Sequence, residues 1–394
     1  MANRNGGFIG TDGLDGPDTV TGVAASGGGA SISVSFTAPT DAGTSAITGF
    51  VAQASTDGTN YSAGSGTGTS SPITISSLTN GTAYTAKVWA INAYGTSAPS
   101  GASSSATPVA PRAVIAIGQA NDGSGNKEEI DYFDISTTGN AADFGNLSVL
   151  RVAMGSGGGS STRGMWAGGS GASDVIDYVT IASTGNATDF GNLLSATQGC
   201  SSLSNDTRFI TGGGSSSPAD RIQYVTIAST GNAQNFGDLT KNKAEFYSTA
   251  NSTRGLWFTK GSGNSNEIEY VTIASTGDGT DFGDMTVECE SAAALASSTR
   301  AIHGGGSGNK VDIGYVTIAS TGNATDFGDL TVGRTRMGGT SSSTRGVFCG
   351  GTASPGGVID YITIASTGDA TDFGDMTYTT QYTSPTSAAH GGVQ

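Results

Sequence analysis

Ile176-Asp177-Tyr178-Val179-Thr180-Ile181-Ala182-Ser183-Thr184-Gly185-Asn186-Ala187-Thr188-Asp189-Phe190-Gly191-Asn192-Leu193 is the clearest of six near-copies in the last three-quarters of the chain. Its tyrosine recurs at Tyr132, Tyr178, Tyr224, Tyr270, Tyr315 and Tyr361, a period of 46 residues and once 45. A fixed period in this range marks a solenoid or a propeller, in which each unit covers the apolar face of the next. Such a chain is a scaffold first. Function is sought where the copies differ.

Each copy opens on a short apolar strand introduced by an arginine, at Arg112, Arg163, Arg208, Arg254, Arg300 and Arg345. An arginine needed in every copy is expected to be structural, bonding carbonyls or acids within or between units. A variable loop leads to the tyrosine strand, where Ile176 and Tyr178 face one side and Val179 and Ile181 the other. Ser183-Thr184-Gly185-Asn186 supplies a turn, Phe190 an aromatic anchor, and a variable strand is expected to close the unit. The tail, Gly392-Val393, aligns with Gly346-Val347 and reads as the start of another first strand.

Four short strands per unit, glycine doublets, and a tyrosine followed by a Phe…Leu pair resemble the kelch repeat, although Phe stands where that family usually has Trp. The resemblance covers residues 112–394 and implies an all-β fold, with a six-bladed kelch-like propeller from 108 to 394. A flat solenoid is the rival, but a closed ring leaves no open strand edge.

Residues 18–107 alternate short strands with Gly/Ser/Thr turns. Ile32, Val34 and Phe36 have period two, as do Phe50, Ala52 and Ala54, then Ile73 and Ile75. Leu78-Thr79-Asn80-Gly81-Thr82-Ala83-Tyr84, leading into Lys87-Val88-Trp89-Ala90-Ile91-Asn92, resembles the tyrosine corner of a fibronectin type III sandwich. Phe36 stands where that family usually has tryptophan. Gly101 to Pro108 reads as last strand plus linker. Residues 1–17 form a Gly/Asp-rich arm with one apolar pair, Phe8-Ile9, expected to order only against a partner and to serve as the attachment point.

Composition narrows function by exclusion. A net charge of −15 with only 17 Lys and Arg argues against nucleic-acid or anionic-membrane partners. No 18-residue apolar run predicts membrane insertion, and the first residues lack a signal-peptide core. Cys200, Cys289 and Cys349 lie far apart, without metal or disulfide spacing.

Asp-Phe-Gly at Asp143, Asp189, Asp281, Asp326 and Asp372 looks like the kinase magnesium triplet, but no phosphate loop or catalytic triplet accompanies it, so it reads as a turn. Asn323, Asp326 and Asp329 could offer oxygens to calcium, yet no 12-residue calcium loop surrounds them. Asn186 and Asn323 satisfy the glycosylation pattern and read as turn residues. His303 stands where other copies have Ile, Trp, Thr or Phe and reads as packing; His390 lies in the tail. No catalytic residue, metal site or cofactor is expected.

Blade-specific residues gather in the variable strands and their loops. Phe246, Tyr247, Arg334, Arg336, Tyr378 and Tyr382 are the candidate ligand-binding residues, because Tyr and Arg favour recognition surfaces and aromatic faces suit sugars. Neutral variation on exposed strands is the competing reading. The layout, with its Tyr-Val-Thr-Ile-Ala-Ser-Thr-Gly-Asn repeats, resembles fibre and appendage proteins of tailed bacteriophages. That resemblance implies a non-enzymatic structural or display protein of the virion. Its partners would be other virion proteins through the arm and host surface glycans through the propeller, with homo-oligomers allowed. An intracellular protein-interaction propeller and a propeller enzyme are the alternatives.

Overall fold

The computed structural model describes residues 14–393, except 109, 122, 153, 172, 216, 243, 260–265, 289 and 353–355. Phe8, Ile9 and Cys289 lie outside the described residues. The chain divides into two compact units, Met1–Ala110 and Pro111–Gln394. Strands and turns make up nearly all of both, so the all-β expectation holds.

The first unit is a sandwich of two antiparallel sheets. Thr21–Gly28, Ser31–Thr37 and Ile73–Ile75 form one. Gly64–Gly68, Ile47–Ser55, Thr85–Asn92 and Gly95–Thr96, in that spatial order, form the other. Period-two alternation sends Ile32, Val34, Phe50, Ala52, Ile73, Ile75 and Val88 into one shared core. Phe36 packs on Phe50 with ring centroids 4.8 Å apart. Tyr84 is buried and its hydroxyl accepts the Thr79 N–H at 3.1 Å, which pins the turn before its strand.

Two expectations at the edges of this unit change. No regular strand spans Gly101 to Pro108. Instead Ser97, Ser100 and Ser103, every third residue, accept through Oγ from the N–H groups of Ala90, Val88 and Ala86. Each serine returns its own N–H to the same residue's carbonyl, leaving only an isolated bridge between Tyr84 and Ala106. A period of three cannot build a two-residue ladder, so the edge is closed by hydroxyls. Asp15, assigned above to the arm, accepts from Thr44 N–H and Asn92 Nδ2, so ordered structure starts before residue 18.

The described residues of the second unit form six antiparallel sheets, each built of an inner strand, then the arginine, tyrosine and phenylalanine strands. In the second sheet these are Gly158–Gly159, Arg163–Ala167, Ser173–Thr180 and Thr188–Thr197. The first sheet consists of Arg112–Ala120, Gly125–Asp134 and Ala142–Asn146, and takes its inner strand from Thr380–Gln381 and Ser384–Ser387 at the far end of the chain. The variable strand therefore does not close its own copy. It becomes the inner strand of the following sheet, and it is buried rather than exposed: every residue of Ser201–Ser204, Ala293–Ala296 and Ser384–Ser387 is inside. Successive inner strands touch in chain order, and Ser384–Ser387 touches Gly158–Gly159 again. The tail is also not a strand. Gly391–Val393 is a 3-10 turn packed against inner strands Tyr247–Ala250 and Ala293–Ala296.

Each apolar core lies between two sheets. Leu203, Ile210 and Phe236 of the third sheet meet Trp257, Val271 and Ile273 of the fourth. Ala113, Ile115 and Phe133 of the first meet Val347, Ile359 and Phe373 of the sixth. Burying one such Phe or Ile side chain is worth about 1.5–3 kcal/mol.

Polar clasps join the same neighbours. The guanidinium groups of Arg112, Arg163, Arg208, Arg254, Arg300 and Arg345 lie 4.4–4.7 Å from the ring centres of Tyr132, Tyr178, Tyr224, Tyr270, Tyr315 and Tyr361. Each tyrosine in turn stands edge-on to the Phe of its own copy, as in Tyr178 and Phe190 at 5.8 Å. The same arginines donate to a carbonyl of the next copy: Arg208 to Ile273 at 2.8 Å, Arg254 to Ile318 at 2.8 Å, Arg300 to Ile364 at 2.9 Å. Arg345, in the last copy, donates to Ile135 of the first at 2.9 Å.

At the outer rim, the Gly and Ala of each Ser-Thr-Gly-Asn-Ala turn donate to the previous sheet, as in Gly185 N–H to Phe144 and Ala187 N–H to Asn146. Asn323, weighed above as a calcium ligand, accepts the Asp284 N–H at 3.0 Å in this clasp. The glycine of Asp-Phe-Gly is what lets the turn approach. Gly191 has φ 147°, and a Cβ there would lie 2.4 Å from the Gly231 carbonyl oxygen. The triplet is a bulge beside a close contact.

Replacing Arg254 or Arg300 by Ala removes a stacked, charge-assisted clasp and is expected to cost about 2–3 kcal/mol. Lysine at either position, lacking the planar group, should recover only part of it. Denaturant unfolding of the four variants checks this, and unchanged midpoints for both alanine variants would remove the structural role.

Candidate recognition pocket

Gly199, Glu245, Ser291 and Arg336 stand at the same distance before the repeat arginine. All four are left-handed, with φ of 65°, 57°, 50° and 59°. Tyr382, on the chain entering the first sheet, has φ 59°, and Gly155 has φ 70°. For a residue with a Cβ this conformation costs about 1–2 kcal/mol. A line of backbone bonds holds them: Glu245 N–H to Gly199 O at 2.9 Å, Ser291 to Glu245 at 3.2 Å, Arg336 to Ser291 at 2.6 Å, and Tyr382 to Arg336 at 2.7 Å.

These residues rim a small cavity of about 60 Å³, open to solvent at one end of the inner strands. The floor is apolar, with Phe246, Ala292 and Met337 each 4–5% exposed and Cys200 fully buried. Burial pushes the Cys200 thiol up to about 12, which keeps it a packing group and not a nucleophile. On the rim, the Arg336 guanidinium lies 4.8 Å from the Tyr382 ring centre and donates to Gln381 Oε1 at 3.2 Å. Partial burial raises the Tyr382 phenol above its ordinary value; Arg336 opposes that shift and Glu245 adds to it. The phenol therefore stays protonated at neutral pH.

Of the six candidate ligand residues, Phe246, Tyr247, Arg336 and Tyr382 come together here. Tyr247 serves mainly the core, stacked on Phe258 at 5.6 Å with its hydroxyl on Met285 Sδ. Arg334 does not reach the cavity. It is fully buried, paired with Asp360 at 2.7 Å and donating to the Val358 carbonyl at 2.6 Å. Arg151 and Asp177 form a matching buried pair at 2.8 Å in the second sheet. Tyr378 lies elsewhere, under Lys127 and bonded to Glu129. Glu245 and Ser291 escaped sequence reading. The available signal was positional: their column holds glycine in another copy, as a left-handed residue often requires.

The remaining titratable groups do not converge. Among the described residues no three His, Cys, Asp or Glu side chains are grouped to hold a metal. His303 is buried beside Gly314, where a Cβ would lie 2.4 Å from Nε2. Neither ring nitrogen has a hydrogen-bond partner among the described residues, and burial pushes its pKa down to about 4. Burial pushes the Asp131 carboxyl up to about 6, against the pull of two bonds from Thr377. His390 Nδ1 accepts from Gly392 N–H at 3.2 Å and Nε2 donates to the Gly159 carbonyl at 3.1 Å, which fixes the neutral ring.

The family model described as Fibronectin type III domain matches residues 18–106. The chain thus carries a fibronectin type III domain, a fold that hosts many functions and assigns none. No curated protein matches the chain.

Two predictions follow from this geometry. Ser291→Gly and Glu245→Gly relieve left-handed strain and should each raise stability by about 1 kcal/mol, measured by denaturant unfolding. No gain from either would mean that the backbone there is relaxed.

The second concerns pH. His303, depressed in the fold to about 4 from an ordinary 6.5, stabilises above pH 6.5 and loses that contribution as pH falls to 4. Asp131, raised to about 6 from 3.8, acts oppositely: the fold is stabilised below pH 4 and loses this as pH rises to 6. His303→Phe should therefore gain most over the parent at pH 4, and Asp131→Asn most at pH 7, each by about 2–3 kcal/mol. Parallel pH–stability curves for parent and variants would contradict both assignments.

Proposed function

We propose that the six sheets form a six-bladed, kelch-like propeller, and that the protein is a non-enzymatic recognition and display module of a bacteriophage virion. It holds a host surface glycan in the pocket rimmed by Glu245, Ser291, Arg336 and Tyr382. Pairing of Ser384–Ser387 with Arg112–Ala120, the reach of Arg345 to Ile135, and the core shared by the sixth and first sheets support the closed arrangement. The virion reading rests on the segment order and the repeat sentence. Residues 1–17 would carry attachment.

One observation carries the recognition role. The residues common to all copies are spent on joining sheets, whereas Glu245, Ser291, Arg336 and Tyr382, which differ from copy to copy, meet on one rim in a conformation that favours glycine. Strain of this kind collects where side chains are presented to a ligand. A polar, one-per-blade rim above an apolar floor is the ordinary composition of a ligand site.

The test is a glycan array probed with the intact protein and with Arg336→Ala and Tyr382→Ala. The parent should bind a restricted set of saccharides, and each variant should lose at least tenfold in affinity with its melting temperature kept. An array without hits, or variants that bind like the parent, would defeat the proposal.

A further inference from the structure

Resting on that reading of the pocket, we infer that its ligand is an N-acetylated amino sugar, with the acetamido methyl seated on the floor. The floor, made by Phe246, Ala292 and Met337, is apolar and nearly sealed, so it suits a small methyl-sized group and offers nothing to a hydroxyl. Directly above it the rim carries one cation, Arg336, and one anion, Glu245, with the Ser291 hydroxyl position between them in the blade order.

The paired signs decide the class. A purely anionic ligand would meet Glu245 on a chain of charge −15, and a purely cationic one would meet Arg336. A neutral group that accepts on one side and donates on the other satisfies both. A secondary amide does this, its carbonyl facing guanidinium donors and its N–H facing an acceptor. Arg336 brings five N–H donors in a planar fork, one nitrogen of which already bonds Gln381. The hydroxyls of a sugar ring then suit the Glu245 carboxylate, which only accepts, and the apolar ring face suits the Tyr382 side chain. The enclosed space of about 60 Å³ over the floor matches an acetyl group and leaves the sugar ring at the mouth. The glycines at Gly155 and Gly199 leave the rim low on one side, where the rest of a glycan could leave.

The experiment is isothermal titration of the full-length protein with methyl glycosides of N-acetylglucosamine and of glucose, and with an N-acetylated alanine ester. The acetylated glycoside should bind at least tenfold more tightly than the glucoside, and the ester more weakly than either. Ala292→Leu, which fills the floor, should erase the preference, bringing the two glycosides to within about twofold of each other. Arg336→Ala, on the rim, gives the same reading if the leucine variant fails to fold, by weakening the acetylated sugar more than the glucoside. Equal affinities for the two glycosides, both lost in Arg336→Ala, would overturn the acetamido assignment and leave the pocket as a glycan site. Tighter binding of the ester would overturn the sugar. No binding of any probe would remove the pocket reading together with this one.

Discussion

Each four-stranded sheet of the second unit has two faces that need cover, and it can supply none of that cover itself. Ile222 of the third sheet packs with Trp257 of the fourth, and Val225 of the same strand packs with Phe190 of the second. A strand whose alternate residues serve two different cores has no solvent face to spare. This requirement propagates from sheet to sheet and would leave a bare face at each end of an open row. Val347 and Ile359 of the sixth sheet share a core with Ala113 and Ile115 of the first, and Ser384–Ser387 pairs beside the first repeat strand. The polar clasps follow the same path. An arginine on one copy reaches a carbonyl on the next, as Arg254 does to Ile318 and Arg300 to Ile364.

Much of this was legible because it recurs. The arginine, the tyrosine on the adjacent strand and the Phe-Gly bulge appear in every copy, and recurrence tells a structural role from a local accident. The Asp-Phe-Gly glycine could be recognised as a turn, but not why it must be glycine. That needed the approach of Gly231 to Gly191 from the next copy. The strand alternation of the first unit was equally open to reading, since Ile32, Val34 and Phe50 differ sharply from their neighbours in polarity.

What stayed hidden was partnership across long separation. Arg334 looks like a surface recognition residue until Asp360 is placed 2.7 Å away in a dry interior. Asp177 sits in the repeated sentence and gives no hint that Arg151 neutralises it. The variable strands were misplaced for a related reason. Sequences such as Ser201-Ser202-Leu203-Ser204 have the polarity of an exposed edge, yet they are inside. Their hydroxyls answer open carbonyls of the neighbouring inner strands: Ser204 on Gly159 at 2.8 Å, Ser248 on Ser202 at 2.7 Å, Ser387 on Ser341 at 2.5 Å. An inner strand has one paired edge and one facing its counterparts, and a short hydroxyl side chain is the smallest group that satisfies such a carbonyl.

The same inner strands explain why recognition belongs at one end of them. Along their buried length, residue choice is held by packing and by these hydroxyl bonds, leaving little freedom to vary. At one end the tail covers them, with Gly391–Val393 packed close and His390 bonded to Gly159. At the other end the backbone turns through a left-handed residue in successive copies, and there the side chain points away from the cores and is free to differ. Glycine is the cheapest occupant and is used at Gly155 and Gly199. Glu245, Ser291, Arg336 and Tyr382 are each a costlier choice for the fold, and all four sit on one cavity. A frame this repetitive can carry a few kcal/mol of local strain because its six cores are shared between rigid neighbours. The strain is concentrated where the copies stop resembling one another.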